Sequence, residues 1–131
     1  MLCALEVKTC YSILSSLNRT DILTKKAKEM GYSSLAITDL NNMFGVYEFY
    51  LACLNNDIKP IIGMEVKTNQ DNFILIAKNN NGYRNLIKIA TIISDREITF
   101  DDLKIYSKDI ILIMPYSSYN EKITNIFDEY Y

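Results

Sequence analysis

Apolar positions along the chain fall into short unbroken runs that alternate with stretches of helical spacing. Residues 2–7 read as a buried strand. Asn18 or Thr20 then offers a side-chain oxygen to cap a helix, with Asp21 favouring its positive end. Ile22, Leu23, Ala27 and Met30 recur at helical spacing, while Lys25, Lys26 and Lys28 lie off that stripe as a solvated face. Gly31 stands where a left-handed residue ends a helix. A second strand is predicted over 34–38. A second helix is predicted over 43–55, with Val46, Phe49, Tyr50 and Cys53 inward. A third strand follows over 59–66, with Pro60 near its start where a missing donor matters least.

After a polar turn over 68–72, residues 73–77 read as a fourth strand, and Asn79-Asn80-Asn81-Gly82 is turn chemistry. A helix over 83–93 carries Leu86, Ile87, Ala90 and Ile93, and Thr99 caps a short helix over 100–106. Residues 109–114 form a fifth strand stopped by Pro115. A last amphipathic helix over 120–130 contains Ile123, Ile126 and Phe127. Continuous apolar strands alternating with helices predict an α/β fold with a helix-covered parallel sheet, in one domain over 1–131. Sites in such folds gather at the C-terminal ends of strands, here near 6–9, 38–42 and 63–67.

Composition narrows the chemistry. The 131 residues carry 14 Lys and Arg against 16 Asp and Glu, too balanced for a module that holds nucleic acid by a strong positive field. There is no histidine. That excludes Ser-His-Asp and Cys-His nucleophile systems, His-ligated zinc and His acid–base pairs within these residues. Cys3, Cys10 and Cys53 match no zinc or redox spacing and are expected to be small buried hydrophobes in a reducing compartment; a reactive thiol at Cys10 is the alternative. No basic segment followed by an apolar run opens the chain, and no apolar stretch is long enough to span a bilayer, so a cytoplasmic location is expected. Among the 10 Tyr and 5 Phe, Tyr47, Phe49, Tyr50 and Phe127 sit in amphipathic segments, where core packing explains them better than base stacking.

Several stretches then align with one family in strict order. Glu6-Val7-Lys8-Thr9-Cys10-Tyr11-Ser12-Ile13-Leu14 lies on a pattern H-x-H-S-x-Y-S-L-L. Ala27-Lys28-Glu29-Met30-Gly31 and the run from Ala36 to Gly45 match A-K-E-x-G and A-L-T-D-H-G-N-M-F-G. Glu48-Phe49-Tyr50-Leu51-Ala52 and the run from Ile58 to Glu65 follow E-F-Y-x-A and I-K-P-I-I-G-x-E. Leu75-Ile76-Ala77-Lys78-Asn79, Gly82-Tyr83 and Asn85-Leu86 continue the series. The chain thus resembles the N-terminal PHP (polymerase and histidinol phosphatase) domain of bacterial DNA polymerase III alpha subunits, of the low-G+C Gram-positive type. The resemblance implies the first part of a distorted (β/α) barrel, a partial domain at the N-terminus of a longer polymerase chain.

In active members of that family, residues at the positions of Glu6, Lys8, Ser15, Leu40 and Glu65 help bind a metal cluster. Here an ammonium and an isobutyl group stand at two of them, so a degenerate site with no metal and no catalytic residue is expected. An ion pair of Lys8 with Glu6 and Glu65 would replace metal cross-linking. Asp39 is a candidate residual acid, or else a turn carboxylate before the second helix. The resemblance implies a non-catalytic structural PHP portion of a DNA-directed DNA polymerase. Its partners would be the remainder of the polymerase chain and a proofreading exonuclease. DNA and Mg would be handled by the parent, no cofactor by this piece, and no membrane is involved. Two alternatives are a PHP-type phosphoesterase using Glu6, Asp39 and Glu65, and a stand-alone interaction module with an exposed sheet edge.

Overall fold

The computed structural model describes residues 2–131. In chain order the elements are β1 (Leu2–Ala4), α1 (Thr20–Glu29), β2 (Tyr32–Leu40), α2 (Val46–Asn55), β3 (Lys59–Lys67), β4 (Asn72–Ala77), α3 (Asn80–Asp95), α4 (Phe100–Tyr106) and β5 (Ile110–Ile113). A 3-10 turn (Tyr116–Ser118), the single helical turn α5 (Glu121–Thr124) and β6 (Glu129–Tyr130) follow. The strands form one curled six-stranded sheet, a half-barrel, in the order β1-β2-β3-β4-β5-β6.

The α/β alternation holds, but the strands are not all parallel. β1, β2 and β3 run parallel through the crossovers α1 and α2. β4 lies antiparallel to both β3 and β5, and β5 and β6 are parallel again. Only Thr68 to Asp71 separate β3 from β4, and a parallel pair needs a crossover of a dozen residues or more. The turn closes on itself instead: the Thr68 amide donates to the Asp71 carbonyl at 2.9 Å, and the Asp71 amide to Thr68 Oγ1 at 2.9 Å.

Helix ends follow local chemistry in most places. Gly31 has φ +83° after α1, as its position predicts. Thr99 and Asp102 form a reciprocal capping box on α4. The Asn79 side chain accepts from the Asn81 and Gly82 amides, so the expected turn becomes a cap and α3 starts at Asn80. At α1 the expectation fails twice. The N-cap position is Arg19, no described side chain caps it, and Asn18 Nδ2 donates to the Lys8 carbonyl at 3.2 Å. The buried face is Thr20, Thr24 and Ala27, with Ile22 and Met30 exposed. Both threonine hydroxyls are satisfied there, Thr20 donating to Glu48 Oε1 and Thr24 to the Thr20 carbonyl, so burying them costs little.

The C-terminal helix expected over 120–130 is one turn long. Ile123 and Phe127 still enter the core, but Glu129 and Tyr130 pair with Ile111 and Leu112 and satisfy the open edge of β5. The core has two lobes. One packs Leu35, Ile37, Val46, Phe49 and Cys53 under α1 and α2; the other packs Val66, Phe73, Leu75, Leu86, Ile89 and Leu112 under α3 and α4. Met43 touches both lobes.

The cysteines are not alike. Cys53 is buried and burial pushes its thiol up to about 12, whereas Cys3 is half-buried and Cys10 is exposed. This corrects the expectation of three buried thiols. A maleimide at neutral pH is therefore expected to label Cys10 in the native chain and Cys53 only after denaturation, read by peptide mass spectrometry; labelling of Cys53 first would contradict the packing.

Candidate functional site

The C-terminal ends of β1, β2 and β3 meet at one rim. β1 leaves regular pairing after Ala4, yet its continuation stays beside β2 because Thr38 substitutes for missing ladder bonds. The Thr38 amide donates to the Val7 carbonyl at 2.8 Å, and the Val7 amide to Thr38 Oγ1 at 2.8 Å. The loop beyond closes on its own root. The Cys10 amide donates to the Asn18 carbonyl at 2.9 Å and Ser16 Oγ to the Lys8 carbonyl at 2.9 Å.

Two groups of side chains leave this rim on opposite faces. Asp39 is the register partner of Met64, and Leu40 that of Glu65, so Asp39 and Glu65 point to opposite sides of the sheet. On one face, Lys8 Nζ lies 2.5 Å from Glu65 Oε2 and 3.7 Å from Glu6 Oε1. The Glu65 side chain is 7% exposed, Lys8 27% and Glu6 64%. The Glu65 carboxylate, with Glu6 farther out, holds the Lys8 ammonium above the ordinary lysine range against the opposing effect of burial. Among the described residues Glu65 Oε2 meets no other donor; the contact is ionic and short, without hydrogen-bond alignment.

On the other face Asp39 is 1% exposed and fully engaged. Its Oδ1 accepts from the Thr9 amide and from Ser12 Oγ, and its Oδ2 from Thr9 Oγ1, each at 2.6 Å. Ser12 Oγ in turn accepts from the Leu40 amide at 2.9 Å. Gly45 closes the space, since a Cβ there would stand 3.2 Å from Asp39 Oδ2 and 2.7 Å from the Tyr11 ring. Asp39 is thus an anchor for the loop after β1. It does not serve as the turn carboxylate ahead of α2 that its place in the sequence suggested, because its donors come from Thr9 and Ser12.

Of the sequence-selected positions, the structure gathers Glu6, Lys8 and Glu65, with Leu40 beside Glu65 by register. Ser15 is exposed on the loop, its amide donating to the Ser12 carbonyl at 2.9 Å, and no described contact joins it to the others. Sequence reasoning missed Thr9, Ser12 and Gly45 around Asp39. It also missed the strut in which Tyr11 OH donates to Glu48 Oε2 at 2.7 Å and Thr20 to Glu48 Oε1. Those bonds, Thr20's foremost, keep the Glu48 carboxyl below its ordinary range. The resemblance marked Tyr11 and Glu48 as motif residues, but nothing in their spacing pairs them.

The arrangement offers little to a cation. Among the described residues no three His, Cys, Asp or Glu side chains converge as a metal site requires. The nearest carboxylates, Glu6 and Glu65, are bridged by an ammonium, and Leu40 brings no donor atom. A hollow of about 520 Å³ bordered by Tyr47, Tyr50, Lys59, Lys78 and Tyr83 lies elsewhere and includes none of these residues. No helix among the described residues is long and apolar enough to cross a membrane.

The chain is 38% identical over 123 residues to a DNA polymerase III subunit alpha of Halalkalibacterium halodurans, covering 86% of this chain and 11% of that protein. Corresponding subunits of Streptococcus pyogenes and Staphylococcus epidermidis are 32% and 35% identical over 99% and 93% of this chain, and 13% and 12% of theirs. The chain therefore spans about an eighth of the length of these relatives. In fold it is similar to a candidate metal-dependent phosphoesterase from Bifidobacterium adolescentis, with a TM-score of 0.56 and 17% identity over 82% of this chain and 43% of that one. The family model for the PHP domain matches residues 4–128, and the chain belongs to that family.

Proposed function

We propose that this chain is a non-catalytic, structural PHP unit of a DNA polymerase III alpha subunit. One observation carries the reading: the Lys8 ammonium rests 2.5 Å from Glu65, on the carboxylate that a metal would need. A cation is repelled from a carboxylate already neutralised by an ammonium, and Leu40 supplies no replacement ligand. Template-directed nucleotidyl transfer, its Mg ions and the grip on DNA would then belong to the rest of the polymerase chain. This unit would pack against that chain and support a separate proofreading exonuclease, in the cytoplasm. The bare side chains of Ile13, Leu14 and Leu17, 80% or more exposed, suit contacts with further polypeptide.

The competing phosphoesterase would draw on Glu6, Asp39 and Glu65. Against it stand the three donors already on Asp39 and the opposite faces from which Asp39 and Glu65 leave the sheet. Protein purified without chelator separates the two readings. The structural reading expects no stoichiometric Mn, Zn or Fe by mass spectrometry and no hydrolysis of bis(p-nitrophenyl) phosphate above blank. Stoichiometric metal together with turnover that EDTA abolishes would overturn it.

A further inference from the structure

Glu65 is the unusual residue of the rim. Its side chain is almost wholly removed from water, and its Oε2 has one cationic neighbour and no hydrogen-bond donor among the described residues. Burying a carboxylate with no hydrogen-bond donor is costly unless a counter-charge lies beside it. The counter-charge arrives from outside the strand pair. Lys8 belongs to the segment leaving β1, Glu65 to β3, and Leu40 of β2 lies between them as an apolar spacer. The ammonium therefore ties β1 to β3 across the intervening strand, a span that no ladder hydrogen bond can make.

We infer that Lys8 is a built-in cation, which neutralises Glu65 and cross-links β1 to β3 in the manner of a metal ion, so that its removal turns a metal-indifferent chain into a metal-responsive one. This rests on the non-catalytic reading above. Formal charge shows why. Glu6, Glu65 and Lys8 sum to one net negative charge, and Lys8→Met leaves two carboxylates and no cation. A divalent ion restores neutrality. Hard ions such as Mn²⁺ or Ca²⁺ take carboxylate oxygens, and the exposed Glu6 side of the pair leaves room for water to complete the shell.

The test is the thermal midpoint of the full 131-residue chain, with and without about 5 mM MnCl2, a level set for a site with few ligands. The natural chain is expected to melt at the same temperature in both. Lys8→Met is expected to melt about 10 °C lower without metal and to regain at least half of that loss with it. The double variant K8M/E65Q, having no buried charge left to neutralise, is expected to melt above Lys8→Met and to ignore Mn²⁺. If Lys8→Met does not fold alone, recovery of its far-ultraviolet circular dichroism on adding Mn²⁺ is the reading. A Lys8→Met chain as stable as the natural one, or one that stays destabilised in Mn²⁺, overturns the inference and leaves the non-catalytic reading standing. Mn²⁺ binding with phosphodiester turnover by the natural chain would overturn that reading instead.

Discussion

Replacing Asp39 with alanine is expected to lower the unfolding free energy by about 4 kcal/mol. The carboxylate takes three hydrogen bonds of 2.6 Å, from the Thr9 amide, Thr9 Oγ1 and Ser12 Oγ, at a site closed to water. Hydrogen bonds to an ionised group contribute roughly 1.5–3 kcal/mol each in net terms, offset by the cost of burying the charge. Alanine restores none of them and orphans the Thr9 amide, which has no freedom to turn elsewhere. The carboxamide of the variant D39N keeps one acceptor for that amide, and a reversed Thr9 hydroxyl can accept from its amino group. Its loss is expected to be about half as large. Urea denaturation gives the magnitudes. Hydrogen exchange at Thr9 locates them, because the loop root should lose protection before the core strands do. A loss under about 1 kcal/mol for Asp39→Ala would mean that water reaches these donors.

Gly82→Ala is expected to cost about 3 kcal/mol and to lower the melting temperature by roughly 10 °C. An added Cβ would stand 2.1 Å from the Asp109 carbonyl oxygen and 3.0 Å from its carbon, both backbone atoms. That carbonyl is not free to retreat, since it accepts the Lys78 amide at 3.0 Å. Asp109 itself sits at φ +62°, with its carboxylate taking Asn81 Nδ2 at 2.6 Å. Relief requires lifting the first turn of α3 from the start of β5. Gly31→Ala is the control: its Cβ would meet nothing within 4 Å among the described residues, so only the φ of +83° opposes it. About 1 kcal/mol is expected there. Equal losses at the two glycines, by calorimetry, would count against the clash.

Features set by neighbours in the chain were legible in the sequence; features set by distant partners were not. Thr99 with Asp102, and Gly31 after a helix, declare themselves locally. The order of strands and helices followed from periodicity, and so did the inward face of α2 at Val46, Phe49 and Cys53, whereas Tyr50, expected there too, is exposed. Periodicity has no direction, however, so β4 read as parallel although its four-residue connection forbids that. The face of α1 was misjudged because Thr20 and Thr24 look polar until Glu48, 28 residues from Thr20, is seen to satisfy one of them. At the rim, alternation along one strand placed Glu6 and Lys8 together, and the family pattern brought Glu65 to them. Asp39 stood out by type, but its donors lie 27 and 30 residues away and belong to no spacing rule.

The sheet is laid out in the same order as the chain, β1 through β6, with each strand beside its predecessor. Assembly therefore requires no strand to be threaded between two that are already paired. The β3–β4 hairpin closes over only four residues and is the cheapest pair to form, since loop-closure cost rises with length. β3 also reaches both lobes of the core, with Met64 and Val66 in one and Ile62 packed against the other. During synthesis from the N-terminus, the neighbour that each strand from β2 to β6 pairs with has already been made when that strand emerges.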